Sequence, residues 1–189
     1  TMATNDALFY VIQEFNKKES YLGPDKVTST DMGYIFEELV RKFSESYNEE
    51  AGAHFTSRDI IYLMTDILLA EDRDLLVGTD VVKTVYDQTM GTSQMLSAMI
   101  ERIQSFNADA EVRTFGQELN PETYAIAKAD TMIRGGDPDN MALGSTLSND
   151  GFPGYTFDYC ISNPPFGIDW KKDKNAVQAE HELGDQGRF

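Results

Sequence analysis

The chain has 189 residues and a formal net charge of −16, sixteen Lys and Arg against thirty-two Asp and Glu. Its 41% hydrophobic residues include eleven Phe, nine Tyr and eight Met, enough apolar volume for the core of one domain, which excludes a disordered acidic tail. A sequence pI near 4.3 means that a DNA phosphate backbone would repel most of the surface, so work on nucleic acid requires a local contact or a second subunit.

In chain order, residues 1–50 read as a helical region. Leu8, Phe9, Val11, Ile12 and Phe15 mark one short apolar face, which Gly23-Pro24 ends. A second helix starts near Thr30 or Asp31, with Ile35, Phe36, Leu39, Val40 and Phe43 at helical spacing, and fades into the polar stretch 44–50. From residue 51 the pattern alternates between strands and helices. Thr56 reads as an N-cap with Asp59 three positions on. It is followed by a helix whose buried side is expected to carry Ile60, Ile61, Leu63, Met64, Ile67 and Leu68. A strand over 81–87, a helix over 95–103, a strand over 112–118 and a helix opened by Asn120-Pro121 come next. Short strands over 141–143 and 157–162 complete the series. Strands joined by helices of this length require right-handed crossovers and a parallel sheet, so the class is α/β, doubly wound.

The longest apolar run, 60–70, is interrupted by Thr65 and Asp66 and is shorter than the ~18–20 residues of a bilayer span. The first thirty residues show no secretory pattern. The lone Cys160 can form neither an internal disulfide nor a zinc site, which fits a reducing cytoplasm, and it is expected to be a small buried residue inside its strand.

In an open parallel sheet, ligands sit beyond the carboxyl ends of the strands, near the point where strand order reverses. Four segments fall in such places. Residues 87–93, Asp-Gln-Thr-Met-Gly-Thr-Ser, form a small-residue loop between a strand and a helix, where backbone amides can approach a polar ligand. Gly116-Gln117-Glu118 closes the next strand, and an acid there can accept two hydrogen bonds from a ribose diol. Asn163-Pro164-Pro165-Phe166 follows the last strand; two prolines stiffen the backbone and hold Asn163 and the Pro164 carbonyl as neighbouring acceptors beside an aromatic ring. Phe55 and Thr56 lie in residues 52–58, which lead into a helix and either wall a ligand pocket or serve as a staple and cap.

These segments resemble those of the modification (M) subunit of type I restriction–modification systems, a family of adenine-specific DNA methyltransferases that use S-adenosylmethionine. Residues 52–58 resemble that family's Gly-x-x-Phe/Tyr-Thr-Pro-Arg segment, and 87–94 resemble its Asp-Pro-x-x-Gly-Thr-Gly-Gly loop. Gly144-Ser145-Thr146-Leu147 resembles its Gly-Asn/Asp-Thr-Leu stretch, and 162–167 matches Thr/Ser-Asn-Pro-Pro-Phe-Gly. The likeness covers roughly residues 30–189 and implies an N-terminal helical region over 1–50 and the first part of a catalytic domain over 51–189. Departures from the pattern are Gln88 for the loop proline, Ser93-Gln94 for two glycines, Ser57 for a proline, and Ser145 where an acid or amide would face the cofactor's adenine. The chain ends 23 residues after Phe166, whereas the family's sheet continues, so an exposed sheet edge covered by a partner or second copy is expected.

The resemblance assigns catalysis to Asn163, Pro164, Pro165 and Phe166. It assigns the cofactor to Phe55, Thr56, Asp87, Thr89, Gly91, Thr92, Glu118 and Ser145, and it implies no metal. Two acceptors drawing on the N–H bonds of an exocyclic amine would make its nitrogen more nucleophilic and stabilise the positive charge that grows on it. A flipped-out base would stack on Phe166. The implied partners are DNA, a specificity subunit and a second modification subunit, with a restriction subunit as a further one. Such a division of labour accommodates a subunit too acidic to hold a duplex alone, and Lys171, Lys172 and Lys174 form the basic cluster nearest the corner. Two alternatives stay open on the sequence: a non-catalytic scaffold that has lost cofactor binding, and a methyltransferase acting on a protein glutamine.

Overall fold

The computed structural model describes residues 7–23, 25–46 and 56–189. The expected feature Phe55 and the polar stretch beyond Ser46 lie outside these residues. Helix α1 spans Ala7–Phe15 and α2 Ser29–Ser46, followed by α3 (Arg58–Leu69), α4 (Arg73–Leu76), β1 (Val82–Asp87), α5 (Gln94–Phe106), β2 (Glu111–Glu118), α6 (Pro121–Ile133), β3 (Met141–Leu143), β4 (Tyr159–Cys160) and α7 (Lys174–His181).

Local chemistry explains the helix starts. Thr28 and Asp31 form a reciprocal capping box: Asp31 Oδ2 accepts from the Thr28 amide at 3.0 Å, and Thr28 Oγ1 accepts from the Asp31 amide at 3.1 Å. Asn120 caps α6 by accepting from the amides of Glu122 and Thr123, with Pro121 at the first helical position. Thr56 does not cap α3. The N-cap is Ser57, without a side-chain bond, and the Thr56 hydroxyl is engaged elsewhere. The buried stripe of α3 is also narrower than expected: Ile61, Thr65 and Leu69 are buried, whereas Ile60, Leu63 and Ile67 are exposed. Spacing of four selects the stripe that faces α5, and residues one position off point along its flanks.

The strands form one parallel sheet in the order β3-β2-β1-β4. The chain moves from β1 outward through β2 to β3 and then returns to the other side of β1. Both crossovers up to β3 run the same way, so right-handedness places α5 and α6 on one face. There Val85, Leu96, Met99, Ile103 and Ala127 join the buried core. The opposite face carries Tyr86 and Phe115, paired across the ladder, and the loop after β3 packs Phe152, Tyr155 and Phe157 on them with ring centroids 4.7–6.1 Å apart.

β4 is shorter than the expected 157–162. Asp158 takes the place of a ladder partner, accepting from the Thr84 amide and hydroxyl at 2.8 Å each, and beyond Ser162 two prolines offer no donor. Cys160 is exposed rather than buried, because β4 pairs with β1 on one side only. Among the described residues no helix is long and apolar enough to cross a membrane.

Candidate functional site

All four strands are parallel, so their carboxyl ends share one edge. That edge brings together Asp87 from β1, Glu118 from β2, the Ser145 turn after β3 and Ser162-Asn163 after β4. β2 and β4 flank β1, so Glu118 and Ser162 stand on either side of the loop that leaves β1. The order reverses between β1 and β4, and that switch point is the usual place for a ligand in such sheets.

The loop after β1 is tightly built. Asp87 is fully buried; its Oδ1 accepts from the Thr89 amide at 2.9 Å, and its Oδ2 has no partner among the described residues. Burial, with the Glu118 charge as a lesser cause, pushes the Asp87 carboxyl up to about 7. Met90 N donates to Gln117 O at 3.0 Å, folding the loop over β2, and a Cβ at Gly116 would meet Met90 Sδ at 2.3 Å, so a larger residue there would push the Met90 side chain aside. Gly91, at φ 54°, donates its amide to Glu118 Oε2 at 3.0 Å, while Glu118 Oε1 accepts from the Asn120 amide at 2.8 Å. Ser93, which stands where the family pattern has glycine, adopts φ 74° and caps α5 without a side-chain bond. Thr92 is half-buried. The Gln94 side chain borders the clefts between α5 and the helices α2, α3 and α6.

On the other side of the switch point, Thr89 Oγ1 and Ser162 Oγ lie 2.7 Å apart and join the loop to the end of β4. Asn163 Nδ2 donates to Thr56 Oγ1 at 3.0 Å, which directs the amide oxygen to the opposite side. Thr56 thus meets Asn163, a pairing the sequence did not suggest. Pro164 and Pro165 are exposed, and Phe166 is 91% exposed. Ser145 lies in the turn after β3, its carbonyl accepting from the amides of Ser148 and Asn149 at 3.2 and 2.8 Å.

Gln117 is the residue that sequence reasoning passed over. Fully buried on β2, it donates through Nε2 to the carbonyls of Gly144 and Asn149, and its Oε1 accepts from the Gly151 amide and the Tyr86 hydroxyl. It therefore ties the turn holding Ser145 to the strand holding Glu118. Thr146 Oγ1 donates to Gln88 O at 2.6 Å and adds a second tie, from that turn to the β1 loop. Their nearest signal was the Gly116-Gln117-Glu118 segment itself, in which the acid drew the attention.

A parallel sheet with β1 beside the reversal, an acid closing β1 and another closing β2 define an α/β Rossmann-like fold of the class used by S-adenosylmethionine-dependent methyltransferases. The sequence matches the N-6 DNA methylase family over residues 27–186, and the chain belongs to that family. It is 27% identical over 172 residues to the type I restriction enzyme MjaIX methylase subunit of Methanocaldococcus jannaschii, covering 90% of this chain and 28% of that one. It is 25% identical over 154 residues to the MpnII methylase subunit of Mycoplasma pneumoniae, covering 76% and 27%. The crystal structure of a type I restriction-modification system methyltransferase subunit from Streptococcus thermophilus superposes with a TM-score of 0.55 at 27% identity, over 74% of this chain and 28% of that one. A class I S-adenosylmethionine-dependent methyltransferase from Listeria monocytogenes, described as putative, shares the fold at a TM-score of 0.61 and 16% identity. The chain thus spans under a third of the length of the curated relatives it matches.

Proposed function

We propose that the chain is the part of a type I modification subunit that holds S-adenosylmethionine and the target adenine, for methylation of the adenine's exocyclic amino group in DNA. The observation that carries this reading is the buried, unpartnered Asp87 Oδ2 at the sheet's switch point. A buried carboxylate oxygen without a donor is costly, and a cationic amino group is the partner that offsets it best. The amino-acid end of the cofactor carries such a group. Glu118 fits the ribose: each of its oxygens accepts one amide here, and a carboxylate oxygen can accept a second donor. Thr89, Gly91 and Thr92 would line the methionine portion beside Asp87, Phe55 and Thr56 would pack near its amino-acid end, and Ser145 would border the adenine portion.

When bound, this cofactor supplies an electrophilic methyl on a sulfonium. The protein's own part is to prepare the amine. Asn163, oriented by Thr56, would accept one N–H of the amine through its side-chain oxygen, and the Pro164 carbonyl would accept the other. Pro165 stiffens that corner, and Phe166, exposed in this chain, would stack on a base taken out of the duplex. The −16 charge suits a subunit whose duplex grip comes from a specificity subunit and a second modification subunit, with a restriction subunit joining the assembly, in the cytoplasm.

Transfer of a labelled methyl group to duplex DNA, measured with a specificity subunit present, tests the reading. Transfer is expected for the native sequence and strongly reduced with Asn163→Ala; normal transfer by that variant would contradict it.

A further inference from the structure

Away from the carboxyl edge, a buried charge sits where three helices meet. Asp130 of α6 is 4% exposed and accepts from Arg134 Nε at 2.9 and 3.1 Å and from Ser97 Oγ of α5 at 3.3 Å. The Arg134 guanidinium also reaches Glu101 of α5 at 3.5 Å. It lies against α2 so closely that a Cβ at Gly33 would come within 2.4 Å of its central carbon. Burial first, and the nearby Glu101 carboxylate second, raise the pKa of Tyr34, the next residue of α2, and the Arg58 guanidinium of α3 lies 4.8 Å from its ring centre. Beside this network, Phe36 and Val40 of α2 share a cleft with Thr92 and Gln94, the end of the β1 loop and the first residue of α5.

A buried ion pair adds little net stability over an apolar pair of the same size, whereas separating its partners is expensive. Its value lies in dictating which elements meet. The planar fork of arginine suits that task, because its donors point in fixed, different directions. Here they serve α6 and α5 while the guanidinium face takes α2, so all its contacts are made together only when α2 is seated.

We propose that Arg134 is a positioning residue: by clamping α2 to the first turns of α5 it holds the loop 88–93 in its ligand-ready shape, so that docking of the N-terminal helix and occupancy of the loop favour one another. This rests on the reading that the loop takes S-adenosylmethionine. Coupling of this kind is reciprocal, so it is visible from both ends.

The test combines calorimetry with S-adenosylmethionine and amide hydrogen exchange on this chain. The variants are Arg134→Gln, Arg134→Lys and the double variant Asp130→Asn with Arg134→Gln, which removes both charges of the pair together and so spares the fold a buried, unpaired carboxylate. Cofactor affinity is expected to fall about tenfold in Arg134→Gln and in the double variant, within the usual range of coupling between sites, and to recover in part in Arg134→Lys. Without ligand, amides of both 29–46 and 94–98 should exchange faster in Arg134→Gln. Ligand should slow exchange over 29–46 in the native sequence and fail to do so in the variants. A lowered melting temperature with unchanged affinity, and faster exchange confined to 29–46, would overturn the proposal and leave Arg134 a structural residue. If the native sequence binds no cofactor, the reading of the loop fails. The ligand-free exchange at 94–98 then still decides the clamp, faster exchange there keeping it and unchanged exchange removing it.

Discussion

The two sides of the switch point are built differently. The β1 loop and Glu118 are half-buried to buried and held by backbone amides: Thr89 to Asp87, Gly91 and Asn120 to Glu118, and Met90 to the β2 carbonyl. The Asn163 corner is exposed from 163 to 172 and is tied at its root by two contacts, Ser162 to Thr89 and Asn163 to Thr56. The first side is pre-organised within this chain, as expected for a small-molecule site. The second presents acceptors and an aromatic ring outward, where a larger partner can meet them.

The sharpest way to break this contrast is to disable each side alone. Asn163→Ala should cost roughly 10²–10³-fold in methyl transfer, the usual effect of removing one such stabilising group, with cofactor affinity unchanged. Equal losses in both measurements would mean that the two sides are not separate. Asp87→Asn should act oppositely, weakening cofactor binding about 10–100-fold, since a charge-assisted bond is worth about 1.5–3 kcal/mol. The same variant should gain stability at pH 8. The folded carboxyl lies near 7 instead of its ordinary 3.8, so the native state holds a proton that the unfolded chain releases between those values. Stability therefore declines as pH rises through that window and is flat above it, and an amide at 87 abolishes the decline. Denaturant melts at pH 4, 6 and 8 check the sign.

A smaller effect sharpens the target side. Thr56→Val removes the hydroxyl that orients Asn163 and should lower transfer about 5–10-fold at saturating cofactor, the worth of one neutral hydrogen bond. The smallest effect spares both sides: Asn120→Ala keeps the backbone amide that Glu118 accepts from and removes only the side-chain cap of α6, so it should lower stability by about 1 kcal/mol, read by thermal melting, with both activities retained.

Much of this layout could be read in the sequence, for identifiable reasons. The alternation of apolar strands with capped helices specifies a parallel sheet, and Asn120-Pro121 marks a helix start that no tertiary contact overrides. In a parallel sheet the ends of 87, 118 and 162 must fall on one edge, so topology alone brings these candidate residues to the same side of the sheet. What escaped depends on contacts between distant residues. Gln117 reads as an unremarkable strand amide, yet it bonds to a turn reached about 30 residues later. Gly33 looks like a defect within α2 until the Arg134 guanidinium is seen against it. The exposed flanks of α3 and the exposed Cys160 follow from which neighbours the sheet and helices actually have, and periodicity in one segment does not record its neighbours.

Titration of the chain with S-adenosylmethionine at pH 8 and pH 6, each in two buffers of different ionisation heat, tests the cofactor site most directly. Binding should be tighter at pH 8, fall by at most tenfold per unit below about 7, and release a proton at pH 6 that the Asp87→Asn protein does not release. No binding heat at either pH, or binding of equal strength and equal proton count in the native and Asp87→Asn proteins, would contradict it.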